Sequence, residues 1–387
     1  MEKKVFLAAI LVLALNLWAG PSPARAADKA VGEQKVLVVM VKFPEVKPRF
    51  TMDQMRKKYF DQLDRYVRAV SYDRTWVTGE LTDWYTLPQP VDRYRLSPHN
   101  LSVERSRVER LMKDALDLAA KDHDLDSYDI IFLSLGAGLQ DYGMMGLCGY
   151  PGMLGWSGPR PFSADVRGVA IYCEPAHLGV VFHDLAHILG GVEGGRRVLP
   201  CLYDHDLQGQ KGTFRGKYQF YLINVGYFDP MSCHFVQLDQ APPGLCAWSK
   251  LRLGWIEPGQ VVEAPAGATR DISLGPLASA QSQVLAVKVP LTSSTYYLLE
   301  NRQPAGVDQV LPAKGLLIYY CDDSIDECRH GRSPVKLIDA DPSVPELKGA
   351  PFTLTGRPEY VDDRNSLRVR VLSEKGTLLQ VRVARGR

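Results

Sequence analysis

Residues 35–43 (KVLVVMVKF) form a Val-rich apolar run, the pattern of a strand buried on both faces. Over 52–69 the spacing changes: Met55, Tyr59, Leu63, Tyr66 and Val67 recur at helical intervals among charged residues. A second helix is predicted over 103–121, where Val108, Leu111, Met112, Ala115, Leu118 and Ala119 make one apolar stripe. The segment YDIIFLSLGAG (128–138) then reads as another buried strand closing on a glycine turn. Strand, helix and strand in that order argue for an α/β layer. The stretch 139–258 is rich in glycine, aromatics and cysteine and predicts one clear helix, at about 176–190. Beyond Pro258 helical periodicity disappears. Short β-prone runs at 285–290, 295–299, 315–320, 367–372 and 377–383, punctuated by Pro and Gly, predict a smaller β-rich C-terminal part.

The N-terminus changes the picture of where the chain works. Lys3 and Lys4 precede an apolar run from Val5 to Leu15, and Ala24-Arg25-Ala26 supplies a small-x-small cleavage site. This reads as a secretory signal peptide over 1–26, too short in its apolar part to span a membrane. No other stretch approaches the roughly 20 apolar residues that a spanning helix needs. Without Glu2, Lys3, Lys4 and Arg25 the basic and acidic residues balance, which argues against nucleic acid or anionic lipid as a partner. All seven cysteines fall after the leader, in a compartment where disulfides persist. Short separations point to Cys148–Cys173, Cys233–Cys246 and Cys321–Cys328, leaving Cys201 over.

Candidate chemistry concentrates in VVFHDLAHILGGVE (180–193). His183 and His187 are one helical turn apart, so both imidazoles lie on one face. Phe182, Leu185, Ile188 and Leu189 would root the helix in the core, and Gly190-Gly191 would end it. Two imidazoles so placed can hold one zinc, with a third protein ligand and a fourth position open to water. Taken alone, the pair also fits two histidines packed on an amphipathic helix.

The wider segment resembles the zinc-binding core of the immune-inhibitor-A-like family of secreted metallopeptidases, whose members carry HExxHxxG followed by a Leu-Pro-Asp-Leu-Tyr-Asp-like stretch. Here His183-Asp184-Leu185-Ala186-His187-Ile188-Leu189-Gly190 precedes Leu199-Pro200-Cys201-Leu202-Tyr203-Asp204. Tyr227-Phe228-Asp229-Pro230-Met231-Ser232 resembles the family's Trp-Asp-Leu-Met-Ser turn. Ala247-Trp248-Ser249-Lys250 with Leu253-Gly254-Trp255, and Glu300-Asn301-Arg302-Gln303 with Gly315-Leu316-Leu317-Ile318, resemble two further family segments, as does 70–88. The likeness covers roughly residues 35–340.

The resemblance implies an α+β fold: a zincin-like catalytic domain (mixed sheet plus active-site helix) over 27–258, followed by a smaller β-rich part over 259–387. It implies zinc on His183 and His187, with the residue after the first histidine as general base and then acid. That residue is Asp184 where the family has glutamate, so its carboxylate lies about 1.5 Å further back, one C–C bond. Misplacement of about 1 Å can cost on the order of a hundredfold in rate. Counting ten residues on from His183 reaches Glu193, an oxygen ligand; treating 191–198 as an insertion puts Cys201 there instead. Glu193 is the preferred third ligand, narrowly over Cys201, with Asp204, His205 and Asp206 further options. Met231 is expected as an apolar floor; Tyr203 and Tyr227 read first as packed aromatics, with donation to an oxyanion as the alternative role. His177, Trp248 and Trp255 read as structural, and the sequon at Asn100 needs no function.

The sequence therefore reads as an exported zinc endopeptidase, secreted or periplasmic, acting on a protein or peptide substrate. A catalytically impaired protein-binding relative is the alternative, favoured by Asp184, and a zinc hydrolase of non-peptide substrates is a third. Only a short stretch separates Ala26 from the first strand, so no long pro-segment is expected: mass spectrometry of the exported protein should find a mature start just after Ala26, and a start well beyond Val36 would contradict this.

Overall fold

The Val-rich run becomes β1 (Gly32–Lys42), the second strand of a sheet whose two faces carry separate cores. The computed structural model describes residues 29–96, 103–151, 160–163, 165–204 and 224–386. The expected leader, the sequon at Asn100, and His205 with Asp206 lie outside the described residues. After β1, Thr51 and Gln54 form a reciprocal capping box that opens α1 (Met52–Arg56). A π-helical stretch (Lys57–Gln62) carries that helix into α2 (Leu63–Ser71). Then come β2 (Thr75–Leu81), β3 (Tyr85–Thr86), α3 (Arg105–Ala119), β4 (Ile130–Leu135), the one-turn α4 (Leu139–Tyr142), β5 (Gly146–Tyr150) and β6 (Gly168–Cys173). The sheet order is β2-β1-β4-β6-β5, with β3 also on β1. All pairings are parallel except that of the edge strand β5, which runs antiparallel to β6.

Period-2 alternation sorts the strand residues. Leu37, Val39, Val41, Ile131, Leu133, Val169 and Ile171 face α3. Val36, Val38, Met40, Ile130, Phe132, Ala170 and Tyr172 face α2 and α5 (Leu178–Gly190). After α5 a small hairpin, β7 (Val192–Glu193) with β8 (Arg196–Arg197), leads to the loops that return beneath it, and α6 (Ala247–Arg252) follows.

The C-terminal part holds two sheets. One is β14-β13-β12-β11-β9, formed by β9 (Val261–Glu263), β11 (Ala286–Pro290), β12 (Thr295–Arg302), β13 (Gly315–Asp322) and β14 (Val335–Leu337). The other is β10-β17-β16-β15, formed by β10 (Thr269–Leu274), β15 (Glu359–Asp362), β16 (Leu367–Lys375) and β17 (Leu378–Arg385). Val287, Val289, Leu299 and Ile318 pack across to Val369, Val371, Val381 and Val383. The opposite face of the first sheet, with Leu298, Leu317 and Tyr319, belongs to the same core as α2 and α5. The fold is thus α+β. The expected boundary at 258 falls at a short 3-10 turn (Pro258–Gln260), yet the hydrophobic core runs through it.

A fully buried guanidinium fastens the two parts. Arg302 on β12 donates to both Asp308 oxygens (2.8 and 2.7 Å), to Glu300 (3.1 Å), and to the carbonyls of Phe228 (2.7 Å) and Gly244 (2.9 Å). All five of its N–H groups are thereby used. Glu300 in turn accepts from the Ala247 amide at the start of α6 (2.5 Å) and from the Tyr319 hydroxyl (2.8 Å).

All seven cysteines are free and buried, so none of the three expected disulfides forms. Cys148 pairs opposite Ala170 and faces the α5 core. Cys173 stands three positions further along β6, at odd parity and so on the other face. The Cys233 and Cys246 thiols contact the Phe235 carbonyl (3.1 Å) and the Ser249 hydroxyl (3.6 Å), and Cys328 contacts Ser333 (3.1 Å). A short separation in sequence does not by itself bring two thiols to the same face when they lie on different elements.

Replacing Arg302 with Ala should cost about 3–5 kcal/mol in urea unfolding, because Asp308 and Glu300 would stay buried without their cation. A loss below about 1 kcal/mol would show that the hub is dispensable.

Candidate metal centre

α5 brings the two histidines together because its residues are apolar nearly all round: Val181, Phe182, Leu185, Ala186, Ile188 and Leu189 are buried in the core. The helix begins after His177, whose extended backbone makes it the N-cap. It ends where the Gly191 amide returns to the His187 carbonyl (3.0 Å), with Gly191 at φ 67°. That backbone angle favours glycine. Gly179 matters for a second reason: a Cβ there would lie 1.7 Å from the His234 carbonyl oxygen, so only glycine lets the 229–234 loop reach the helix.

His183 and His187 are each 3% exposed, and their Nε2 atoms lie 3.0 Å apart. Each ring is held from behind. His183 Nδ1 lies 3.1 Å from the Pro230 carbonyl, and His187 Nδ1 lies 2.7 Å from the Leu199 carbonyl. A carbonyl oxygen can only accept, so each Nδ1 carries the proton and each neutral Nε2 presents a lone pair. Two such lone pairs at this separation repel unless a proton or a cation stands between them. Carbonyl anchoring of the distal nitrogen is also how metal-bound histidines are commonly oriented.

Cys201 completes the group. Its Sγ lies 3.6 Å from His183 Nε2 and 3.3 Å from His187 Nε2. Donors on a tetrahedral zinc, at bond lengths of about 2.0–2.3 Å, are spaced roughly 3.3–3.6 Å apart; both sulfur–nitrogen distances match this, and the imidazole pair at 3.0 Å is slightly closer. The three side chains are all buried, and their ligand atoms lie within 4.8 Å of one another. The residues present can therefore bind a metal ion.

This geometry corrects the preferred third ligand. Glu193 sits exposed on β7, paired with Arg196 in the two-stranded hairpin, and is not part of the cluster. The insertion folds out as that hairpin and hands the chain back at Leu199, whose carbonyl takes His187 two residues before Cys201. Asp204 is buried with an oxygen on the Gly331 amide (2.6 Å).

Two loops cup the group and are tied together by the Leu202 amide donating to the Met231 carbonyl (2.8 Å). Met231 is fully buried, with its amide on Asp229 (2.7 Å). The other Asp229 oxygen holds the Cys246 amide and the Ser249 hydroxyl of α6. Tyr203 stacks on His183 at 5.8 Å and 18°, whereas Tyr227 turns away toward Glu346. His177 packs edge-on against Phe235, and Trp248 and Trp255 are core residues. A residue that sequence reasoning misses is His234, whose ring lies 4.2 Å from His183 and 5.9 Å from Tyr203. Its only signal is its place three residues after Met231.

Asp184 is 5% exposed and points toward the edge strand. Its Oδ2 has no hydrogen-bond partner, and it lies 3.0 Å from where a Cβ on Gly146 would stand. Burial pushes this carboxyl up to about 8, against the pull of Arg197. Burial also pushes the Cys201 thiol up to about 11, while Arg197 and the Tyr203 hydroxyl pull it down. Metal binding must therefore displace the thiol proton. No helix among the described residues is long and apolar enough to cross a membrane. No protein-family model matches the chain, and no curated protein matches it.

Purified protein should bind about one equivalent of metal by elemental analysis. His187→Ala and Cys201→Ser should each weaken that binding at least tenfold, and Glu193→Gln should leave it unchanged. The reverse ranking of Cys201 and Glu193 would return the third position to the hairpin.

Proposed function

We propose that the chain is an exported zinc-dependent endopeptidase with a zincin-like catalytic domain of the immune-inhibitor-A type. The observation that carries this is the convergence of two carbonyl-anchored imidazoles and a buried thiol at zinc-spanning distances. A donor set of two imidazole nitrogens and one sulfur, of borderline softness, suits zinc better than magnesium or calcium, which take oxygen. Zinc held there would act as a Lewis acid on a scissile carbonyl and lower the pKa of a water toward 7.

The protein's own residues supply the rest. His183, His187 and Cys201 hold the ion; the Pro230 and Leu199 carbonyls keep the rings aimed at it. Asp184, adjacent in sequence and on the same helix, takes the general base role in its ionised form, which a cation held by His183 would favour over the buried neutral acid. It would accept a proton from the attacking water and pass it to the leaving amine. The edge strand β5 runs beside α5, and a Cβ on Gly146 would stand 3.0 Å from the Asp184 carboxyl. Tyr203 and His234 pack against His183 and are the candidate donors to a tetrahedral oxyanion.

A second reading is favoured by one observation: the Asp184 carboxylate is packed toward the sheet, with an oxygen that meets no donor. A domain that holds zinc and binds proteins without cutting them would tolerate that arrangement. The two readings part on substitution. In an enzyme, Asp184→Ala should reduce cleavage of an unfolded protein substrate by at least a hundredfold while zinc content stays near that of the wild type. Asp184→Glu should keep or raise the rate by restoring the usual reach. A zinc-loaded wild type with no activity, unrescued by Asp184→Glu, would sink the enzyme reading and leave the binding one.

A further inference from the structure

Beside the metal group, the β7–β8 hairpin and the loop 324–332 enclose a cleft of about 460 Å3. Its walls carry Arg196, Arg197, Arg329 and Arg332 against only Asp326 and Glu327. Both carboxylates are already engaged. Asp326 pairs with Arg196 (2.9 Å), and Glu327 with Arg329 (3.2 Å). Arg197 and Arg332 have no carboxylate partner among the described residues.

The two walls are joined to the metal-binding segment. Arg197 stands four residues before Cys201 on the same run of chain, and its charge acts on both Cys201 and Asp184. The Gly331 amide, next to Arg332, holds the Asp204 carboxylate three residues after Cys201 (2.6 Å). Arg197 is also half-buried, so water screens its guanidinium less than that of a fully exposed arginine. A planar guanidinium presents paired N–H groups that match the two oxygens of a carboxylate, with more geometric selectivity than an ammonium.

We propose that this cleft is a substrate subsite that binds a peptide carboxylate, either an acidic side chain or a chain terminus, through Arg197 and Arg332. Its placement would give the site a preference for acidic peptides on the Cys201 side of the metal. This rests on the peptidase reading for its purpose, but binding can be measured without turnover.

The test uses the zinc-loaded full mature chain and three fluorescent hexapeptides of one sequence. One has a central Glu with both ends blocked, one a central Gln with both ends blocked, and one the same Gln with a free C-terminus. A carboxylate-bearing peptide should bind about tenfold more tightly than the blocked Gln peptide at low salt, the size expected of a charge-assisted contact. The advantage should shrink as salt is raised. It should fall severalfold in each of Arg197→Gln and Arg332→Gln, compared with the wild type after all three proteins are loaded to one equivalent of zinc and matched in melting temperature. Tighter binding of the Glu peptide identifies a side-chain site, and tighter binding of the free-acid peptide a terminal one. Equal binding of all three, or an advantage that both variants retain, overturns the proposal. Failure of the peptidase reading shows separately, as absence of any cleavage, whatever the peptides' affinities.

Discussion

The side chain on which most of the architecture depends is Arg302. A guanidinium with no exposure would be prohibitive in a hydrophobic core unless every N–H found an acceptor and the charge found its counter-ions. Here both conditions are met, and the acceptors come from three places: its own strand and the turn after it, the carbonyl of Phe228, and the carbonyl of Gly244. Phe228 directly precedes Asp229 and Pro230. The chain that cups the metal group is therefore held by a strand of the C-terminal sheet. Asp229 extends the same web into α6 and Glu300 closes it, so polar groups that would each be costly alone satisfy one another.

Resting on that web, the metal group is oriented by backbone atoms. Neither histidine depends on a carboxylate for its tautomer; the Pro230 and Leu199 carbonyls fix it. Those carbonyls sit on the two loops joined through Leu202 and Met231, which leaves little freedom for either ring to rotate. The thiol arrives on one of the same loops. Position, protonation state and donor identity thus trace back to a short stretch after the helix and a short stretch around Met231.

Much of this is legible in the sequence, and the exceptions have physical causes. β1, β4, α3 and α5 follow from long apolar runs or clean periodicity, and each agrees within a few residues. The strand β6 escapes such reading because GVAIYC is short, glycine-led, and set in a stretch whose composition suggests irregular structure. Helical spacing identifies His183 and His187, since a four-residue interval fixes relative direction. The third donor escapes a fixed count because the hairpin removes its residues from the register, carrying Glu193 to the surface. Disulfide pairing by separation fails because parity along a strand, as at Cys148 and Cys173, decides facing more firmly than proximity in sequence. His234 has no periodic neighbours to mark it, and its placement depends on the close approach that Gly179 permits.

The core shared across residue 258 orders the protein's assembly in time. A chain emerging from its N-terminus has the whole of α5 long before β12 exists, yet the loop that anchors His183 is pinned by a residue far later in the sequence. Until the five-stranded sheet docks, the face of α2 and α5 that it covers stays open, and the Phe228 carbonyl has no guanidinium to meet. The histidine pair is thus local in sequence, while the cage around it is long-range and is complete only when β12 is in place. Maturation of the centre is tied in this way to completion of the fold, and a partly made chain carries its two imidazoles without the walls that would aim them.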